Sequence, residues 1–155
     1  MSIQSLTRDT VFEFLRPDQV NELSNAADTI SLAAGDLVYQ KGEAPTYFFI
    51  VLKGQVALRL PGKGGLSILI DELGEGGIFG SCVSFALHSY ALTARCTENC
   101  DLLRIKASVL QGLLDQDPRM GYAIQSKISE IYFRRYVEAM NKLQAIIMNI
   151  PLQPN

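Results

Sequence analysis

The hydrophobic positions change period twice along the chain. Leu15, Val20, Leu23, Ala26 and Ala27 form an apolar stripe at helical spacing, and Pro17 followed by Asp18 is a helix start. Two short helices are expected, Thr10 to Leu15 and Pro17 to Ala27. From Ile30 the period drops towards two. Ile30 and Leu32, then Leu37 and Tyr39, alternate with small or polar residues around an Ala34-Gly35-Asp36 turn. Tyr47 to Leu52 is an unbroken apolar run of strand length. Lys53-Gly54 is a tight turn, and Val56, Leu58 and Leu60 alternate on the return, so the pair reads as a hairpin. Leu66 to Ile70, Tyr90 to Cys96 and Cys100 to Ile105 are further strands. Short strands punctuated by glycine suit a β-roll or jelly roll.

The period then returns to helical. Ala107 to Leu114 reads as one helix. Asp117-Pro118, an N-cap followed by proline at the first helical position, opens a long one that runs to Pro151. At 1.5 Å per residue it is roughly 50 Å long, more than a small roll covers. Ile124, Ile128 and Ile131 fall on one heptad seam; Tyr136, Met140, Leu143, Ile147 and Ile150 fall on a second, offset by a residue. The distal seam predicts a partner helix and hence a homodimer. The helix carries Arg119, Lys127, Arg134, Arg135 and Lys142 against Glu130 and Glu138. Its basic residues read as a solvated face, with Arg134-Arg135 the one adjacent basic pair.

Composition narrows the function classes. The chain has 155 residues, about one domain, with 48% hydrophobic and 19% charged residues. A net charge of −2 does not suggest a nucleic-acid surface. No apolar run is long enough to span a membrane, and Met1 to Asp9 lacks the apolar core of a signal peptide. Cys82, Cys96 and Cys100 are an odd count without a Cys-x-x-Cys pair, which fits reduced thiols in a cytoplasm. The lone histidine, His88, has no nucleophile pattern around it, and the carboxylates are scattered, so no catalytic constellation is expected. Pro61 to Gly65 is glycine-rich and holds Lys63, but a strand rather than a helix follows, which excludes a P-loop.

The stretch Gly74 to Cys96 has the most unusual composition. Gly74, Gly76, Gly77 and Gly80 fall close together before a small, apolar run. Such glycines let backbone approach a ligand, and a helical turn after them offers N–H groups to an anion; on spacing alone a tight β-corner is the preferred account.

This stretch resembles the phosphate-binding cassette of the cyclic-nucleotide-binding domain family, to which the catabolite activator and kinase regulatory subunits belong. Gly42-Glu43, a spacer, the apolar run and Gly54-Gln55-Val56 resemble the family's first signature. Gly76 to Gly80 resembles the Gly-x-x-Phe-Gly opening of the cassette, and Cys100 to Ile105 the last strand of the roll. The resemblance runs from about Leu6 to about Ile150. It implies a mainly β fold with flanking helices: a cyclic-nucleotide-binding-like β-roll (a double-stranded β-helix or jelly roll) with hinge helix in residues 1–118, and a long C-terminal dimerisation helix with its tail in 119–155. Ser108 to Asp117 is the hinge candidate. It also implies a regulatory, ligand-sensing module without catalysis.

Two positions depart from the family pattern. In ligand-binding members a glutamate after Phe-Gly holds the ribose hydroxyl; Ser81 stands there. An arginine starting the next strand pairs with the cyclic phosphate; Tyr90 stands there, followed by Ala91 and Leu92. Losing one partner of a buried charge pair costs about 2–5 kcal/mol. Weak or no binding of cyclic AMP or GMP is therefore expected, and no cofactor is called for. The resemblance gives Phe79, Gly80, Ser81, Cys82, Val83, Tyr90, Ala91, Leu92, Arg135 and Tyr136 as candidate ligand contacts. With Phe85, several of these would line a more apolar cavity for a less highly charged ligand. Arg135 would meet a carboxylate or single phosphate from above; alternatively Tyr90 fills the space itself. Some relatives hold haem through Cys and His near the cassette, but here Cys82 reads as a buried thiol and His88 as a surface-loop residue. The activators carry a winged helix–turn–helix after the long helix; only Leu152 to Asn155 follow Pro151 here, so direct DNA binding and a DNA-binding domain are not expected.

Overall fold

The computed structural model describes residues 12–13, 15–80 and 88–149. The element order is α1 (Pro17–Ala26), β1 (Ala27–Leu32), β2 (Leu37–Tyr39), β3 (Tyr47–Lys53), β4 (Val56–Pro61), a 3-10 turn (Lys63–Gly65), β5 (Ser67–Leu73), β6 (Ile78–Gly80), β7 (Thr93–Cys96), β8 (Cys100–Lys106), α2 (Ala107–Gln116) and α3 (Pro118–Met148). The expected helix at Thr10 to Leu15 lies mostly outside the described residues, although the Phe12 side chain is buried.

Two antiparallel four-stranded sheets face each other, ordered β1-β8-β3-β6 and β2-β7-β4-β5. This corrects the hairpin expected at Tyr47 to Leu60. β3 pairs with β8 and β6, while β4 pairs with β7 and β5. The Lys53-Gly54 turn carries the chain from one sheet to the other. Gly54 has φ +88, and a Cβ there would lie 2.3 Å from the Asn99 carbonyl oxygen, so the turn is wedged against the β7–β8 connection. That contact holds the corner in place of a ladder.

The roll explains why β3 is apolar without alternation. Phe48, Ile50 and Leu52 point to the helices, where they pack with Leu103, Ile105, Leu110, Leu113, Ile124 and Ile128. Phe49 and Val51 point between the sheets and join Val56, Leu58, Phe79, Ala94, Cys96 and Leu102. A strand buried on both faces reads as a continuous hydrophobic run. Lys53 is exposed, where β3 ends.

α3 starts as expected: the Asp117 carboxylate accepts from the Met120 N–H at 3.3 Å. Its 31 residues make it about 46 Å long. The first seam is not an interface with another chain. Met120, Ile124 and Ile128 are buried in the core under sheet β1-β8-β3-β6, and Ile131 packs at its edge. The distal seam is a different face of the helix: Tyr136, Met140, Leu143 and Ile147 are exposed, and Ile150 lies outside the described residues. The one-residue offset between the seams is the angular step between these two faces.

Candidate functional site

A cavity of about 350 Å³ lies between sheet β2-β7-β4-β5 and the middle of α3. Tyr39 and Tyr90 form its inner wall, Leu58 and Ile70 a side, and Tyr132, Arg135, Tyr136 and Ala139 of α3 close over it. Gly80, Ala91 and Leu92 border it as well, with Pro45.

Gly80 ends β6 with φ +96, a region glycine enters freely. A Cβ here would come within 2.6 Å of the Tyr47 carbonyl oxygen and 2.8 Å of the Phe49 ring. The bare backbone therefore lets the strand end tuck against β3. It also leaves the Gly80 carbonyl to accept from the Tyr132 hydroxyl at 3.3 Å, which ties α3 to the cassette.

Tyr90 is held on three sides. Its backbone pairs with the Gly42–Glu43 turn: Gly42 N–H donates to Tyr90 O at 2.9 Å and Tyr90 N–H to Glu43 O at 3.0 Å. Its hydroxyl accepts from the Tyr47 N–H at 3.0 Å and donates to the Tyr47 carbonyl at 3.2 Å. Its ring stacks on Tyr39, centroids 3.7 Å apart and planes 13° from parallel. Burial raises the Tyr90 hydroxyl above the ordinary tyrosine range. Burial likewise pushes Tyr39 well up, with Tyr132 and Tyr90 adding to it and Arg135 opposing. Both phenols stay neutral at physiological pH.

Arg135 is buried, 7% exposed. Its Nε donates to Asp71 Oδ2 at 2.7 Å and one Nη to the Ile78 carbonyl at 2.5 Å, and its guanidinium lies 5.1 Å from the Tyr132 ring centroid. Asp71 belongs to β5, the edge strand. One heptad on, Lys142 Nζ donates to the Leu69 and Ile70 carbonyls at 2.8 and 3.1 Å. These are backbone groups of an edge strand, which without a covering element face solvent or another strand. Two cations on one face of α3 thus fasten the helix to β5.

The structure therefore gathers Gly80, Tyr90, Ala91, Leu92, Arg135 and Tyr136 around one cavity. Phe79 is elsewhere: it stacks on Phe49 at 5.0 Å inside the inter-sheet core. Ser81, Cys82, Val83 and Phe85 lie outside the described residues, and His88 is exposed. Sequence reading missed Tyr39, Asp71, Tyr132 and Ala139. Tyr132 and Ala139 were within reach, because they sit three and four residues from Arg135 on one helical face. Tyr39 and Asp71 reach the site only through the sheet order. Among the described residues no three His, Cys, Asp or Glu side chains converge as a metal site, and no helix is long and apolar enough to cross a membrane.

The two-sheet roll agrees with a sequence-profile match of residues 29–117, more than half the chain, to the cyclic nucleotide-binding domain. The chain belongs to the cyclic nucleotide-binding domain family. The solved structures similar to it share the fold at low identity. The sensor domain of the transcriptional regulator DNR from Pseudomonas aeruginosa superposes with a TM-score of 0.74 at 22% identity, covering 98% of this chain and 95% of that one. The Thermus thermophilus catabolite activator protein gives 0.70 at 20%, covering 88% of this chain and 62% of its own. The c-di-GMP responsive regulator CLP from Xanthomonas campestris gives 0.69 at 18%, covering 87% and 66%. A search of curated proteins finds no match. The Tyr90 hydroxyl is spent on the Tyr47 backbone.

Proposed function

We propose that the protein is a dimeric, ligand-sensing regulatory module whose pocket no longer serves cyclic AMP or GMP. The observation that carries this reading is the cavity beside Gly80, which stays open although the Tyr90 ring packs inward. In this reading the Tyr90 ring, stacked on Tyr39, fills the end of the site where a phosphate would sit, and the space under α3 is left for the ligand. A phosphate at the cassette would find the Tyr90 hydroxyl already paired, in place of a cation. The related fold of CLP, a c-di-GMP responsive regulator, supports the idea that such rolls accept more than one kind of ligand.

The output element is α3. Its exposed residues Phe133, Tyr136, Met140, Leu143 and Ile147 recur at spacings of three and four, the pattern of a coiled-coil seam. A second copy of the chain, related by a two-fold axis with parallel helices, matches such a stripe with itself. Tyr136 belongs to both surfaces, lining the cavity and standing on the seam. Occupancy of the cavity would therefore bias how two helices pack, a shift between two arrangements. In this reading residues 1–118 supply the roll and the hinge (Ser108 to Asp117), and residues 119–155 the dimer helix.

Calorimetric titration with cyclic AMP and cyclic GMP tests the ligand half of the proposal. Removing one member of a buried charge pair weakens binding by roughly thirtyfold to several thousandfold, so Kd values above about 10 μM are expected. Submicromolar binding of either nucleotide would show that the pocket still serves the family ligand.

A further inference from the structure

We infer that the cavity under α3 takes an uncharged, flat, largely aromatic small molecule, and that the Arg135–Asp71 pair is what excludes anions from it. The inference rests on the sensor reading above and narrows its ligand class.

Charge is the first argument. Arg135 is the one cation lining the cavity among the described residues, and its charge is already matched. Asp71 accepts from Nε at 2.7 Å, and the Ile78 carbonyl accepts from a terminal nitrogen at 2.5 Å. An entering carboxylate or phosphate would have to displace Asp71 or sit beside it uncompensated. A carboxylate taken out of water without a free partner is strongly disfavoured.

Hydrogen-bond supply is the second. The Tyr90 hydroxyl is used in both directions by the Tyr47 backbone, and the Tyr132 hydroxyl donates to the Gly80 carbonyl. Two of the hydroxyls that could solvate a ligand's negative oxygen are thus engaged within the protein.

Shape and surface are the third. The wall offers aliphatic contacts from Leu58, Ile70 and Leu92, and tyrosine rings from both the roll and α3. Tyr39 and Tyr90 already stack as parallel plates at one side. An aromatic ligand gains from an offset-stacked or edge-to-face tyrosine beyond the area it buries. A volume of about 350 Å³ is at the small end for small-molecule sites, which suits one or two fused rings.

The test compares two probes of one shape, neutral 2-naphthol and anionic 2-naphthoate, titrated into the full chain near neutral pH by calorimetry. The expected result is binding of naphthol at least about tenfold tighter than naphthoate. Asp71→Asn leaves Arg135 without its carboxylate, so naphthoate affinity should rise about tenfold while naphthol changes little. Ala139→Phe fills the cavity from the helix side and should remove naphthol binding, with circular dichroism confirming the fold. Tighter binding of naphthoate by the unmodified chain, or no response of naphthoate to Asp71→Asn, overturns the exclusion of anions and leaves a sensor of another ligand class. Absence of binding by both probes and by cyclic nucleotides overturns this inference and the sensor reading together, leaving a dimerisation module.

Discussion

At the residue scale, the inter-sheet core is built on groups that must stay protonated. Cys96 is fully buried, and its thiol is pushed up to about 12, by burial first and then by its hydrogen bond with the free thiol of Cys100. The Tyr39 hydroxyl is raised for the same main reason. Below the ordinary values of 9.0 and 10.0 both groups hold their protons in folded and unfolded chain alike, and the native state loses nothing. Above them the unfolded chain ionises first and the folded chain does not. Stability is therefore full near neutral pH and falls as pH rises from about 9 towards about 12. Urea unfolding across that range should show the midpoint dropping, and Tyr39→Phe should flatten the drop. A midpoint insensitive to alkali would contradict the burial argument.

At the element scale, α3 is two helices in one. Its first half is core: Met120, Ile124 and Ile128 are under 10% exposed. Its second half is held to the roll by the fastening of Arg135 to Asp71 and the Ile78 carbonyl and of Lys142 to the β5 carbonyls. The two fastenings differ in worth. Arg135 is largely desolvated and Asp71 is a quarter exposed, so Arg135→Met should cost about 1–3 kcal/mol. Lys142 is exposed, and Lys142→Met should cost under about 1 kcal/mol. Hydrogen exchange separates them further. Amides of β5 and β6, both of which Arg135 holds, should exchange faster in Arg135→Met, and those of β1, at the far edge of the other sheet from β6, should not. Equal protection of β5 in wild type and Arg135→Met would show that the helix needs no such anchor.

At the scale of the whole molecule, the described residues of one chain leave a long apolar face exposed. Phe133 is 65% exposed, Tyr136 57%, and Met140, Leu143 and Ile147 each over 40%. A contiguous stripe of that kind marks an interaction surface. Sedimentation should give a dimer at micromolar concentration. Leu143→Asp, placing a charge in the middle of the stripe, should give monomers or aggregates while near-neutral circular dichroism keeps the β signature. A well-behaved wild-type monomer at high micromolar concentration would contradict the second-copy proposal.

What the sequence determined by itself was local. Period, caps and turns located most elements: Asp117-Pro118 opens α3 because a carboxylate beside a helix start satisfies a backbone donor, and that needs no distant residue. The ordered glycines and apolar run carried the family resemblance, and with it the cassette around Gly80. The face assignment of Ile124 and Ile128 was not legible. A heptad pattern records which residues are apolar, and both a roll and a second helix reward that equally. The sheet exchange at Gly54 escaped for a similar reason, since a tight turn between apolar runs has the same pattern whether the strands pair or part. Only the closed roll decides that Asp71 meets Arg135, 64 residues apart, and that Tyr90 spends its hydroxyl on Tyr47. The chemistry of the cavity follows from those two meetings, because a side chain's charge or hydroxyl is available to a ligand only where the fold has left it unpaired.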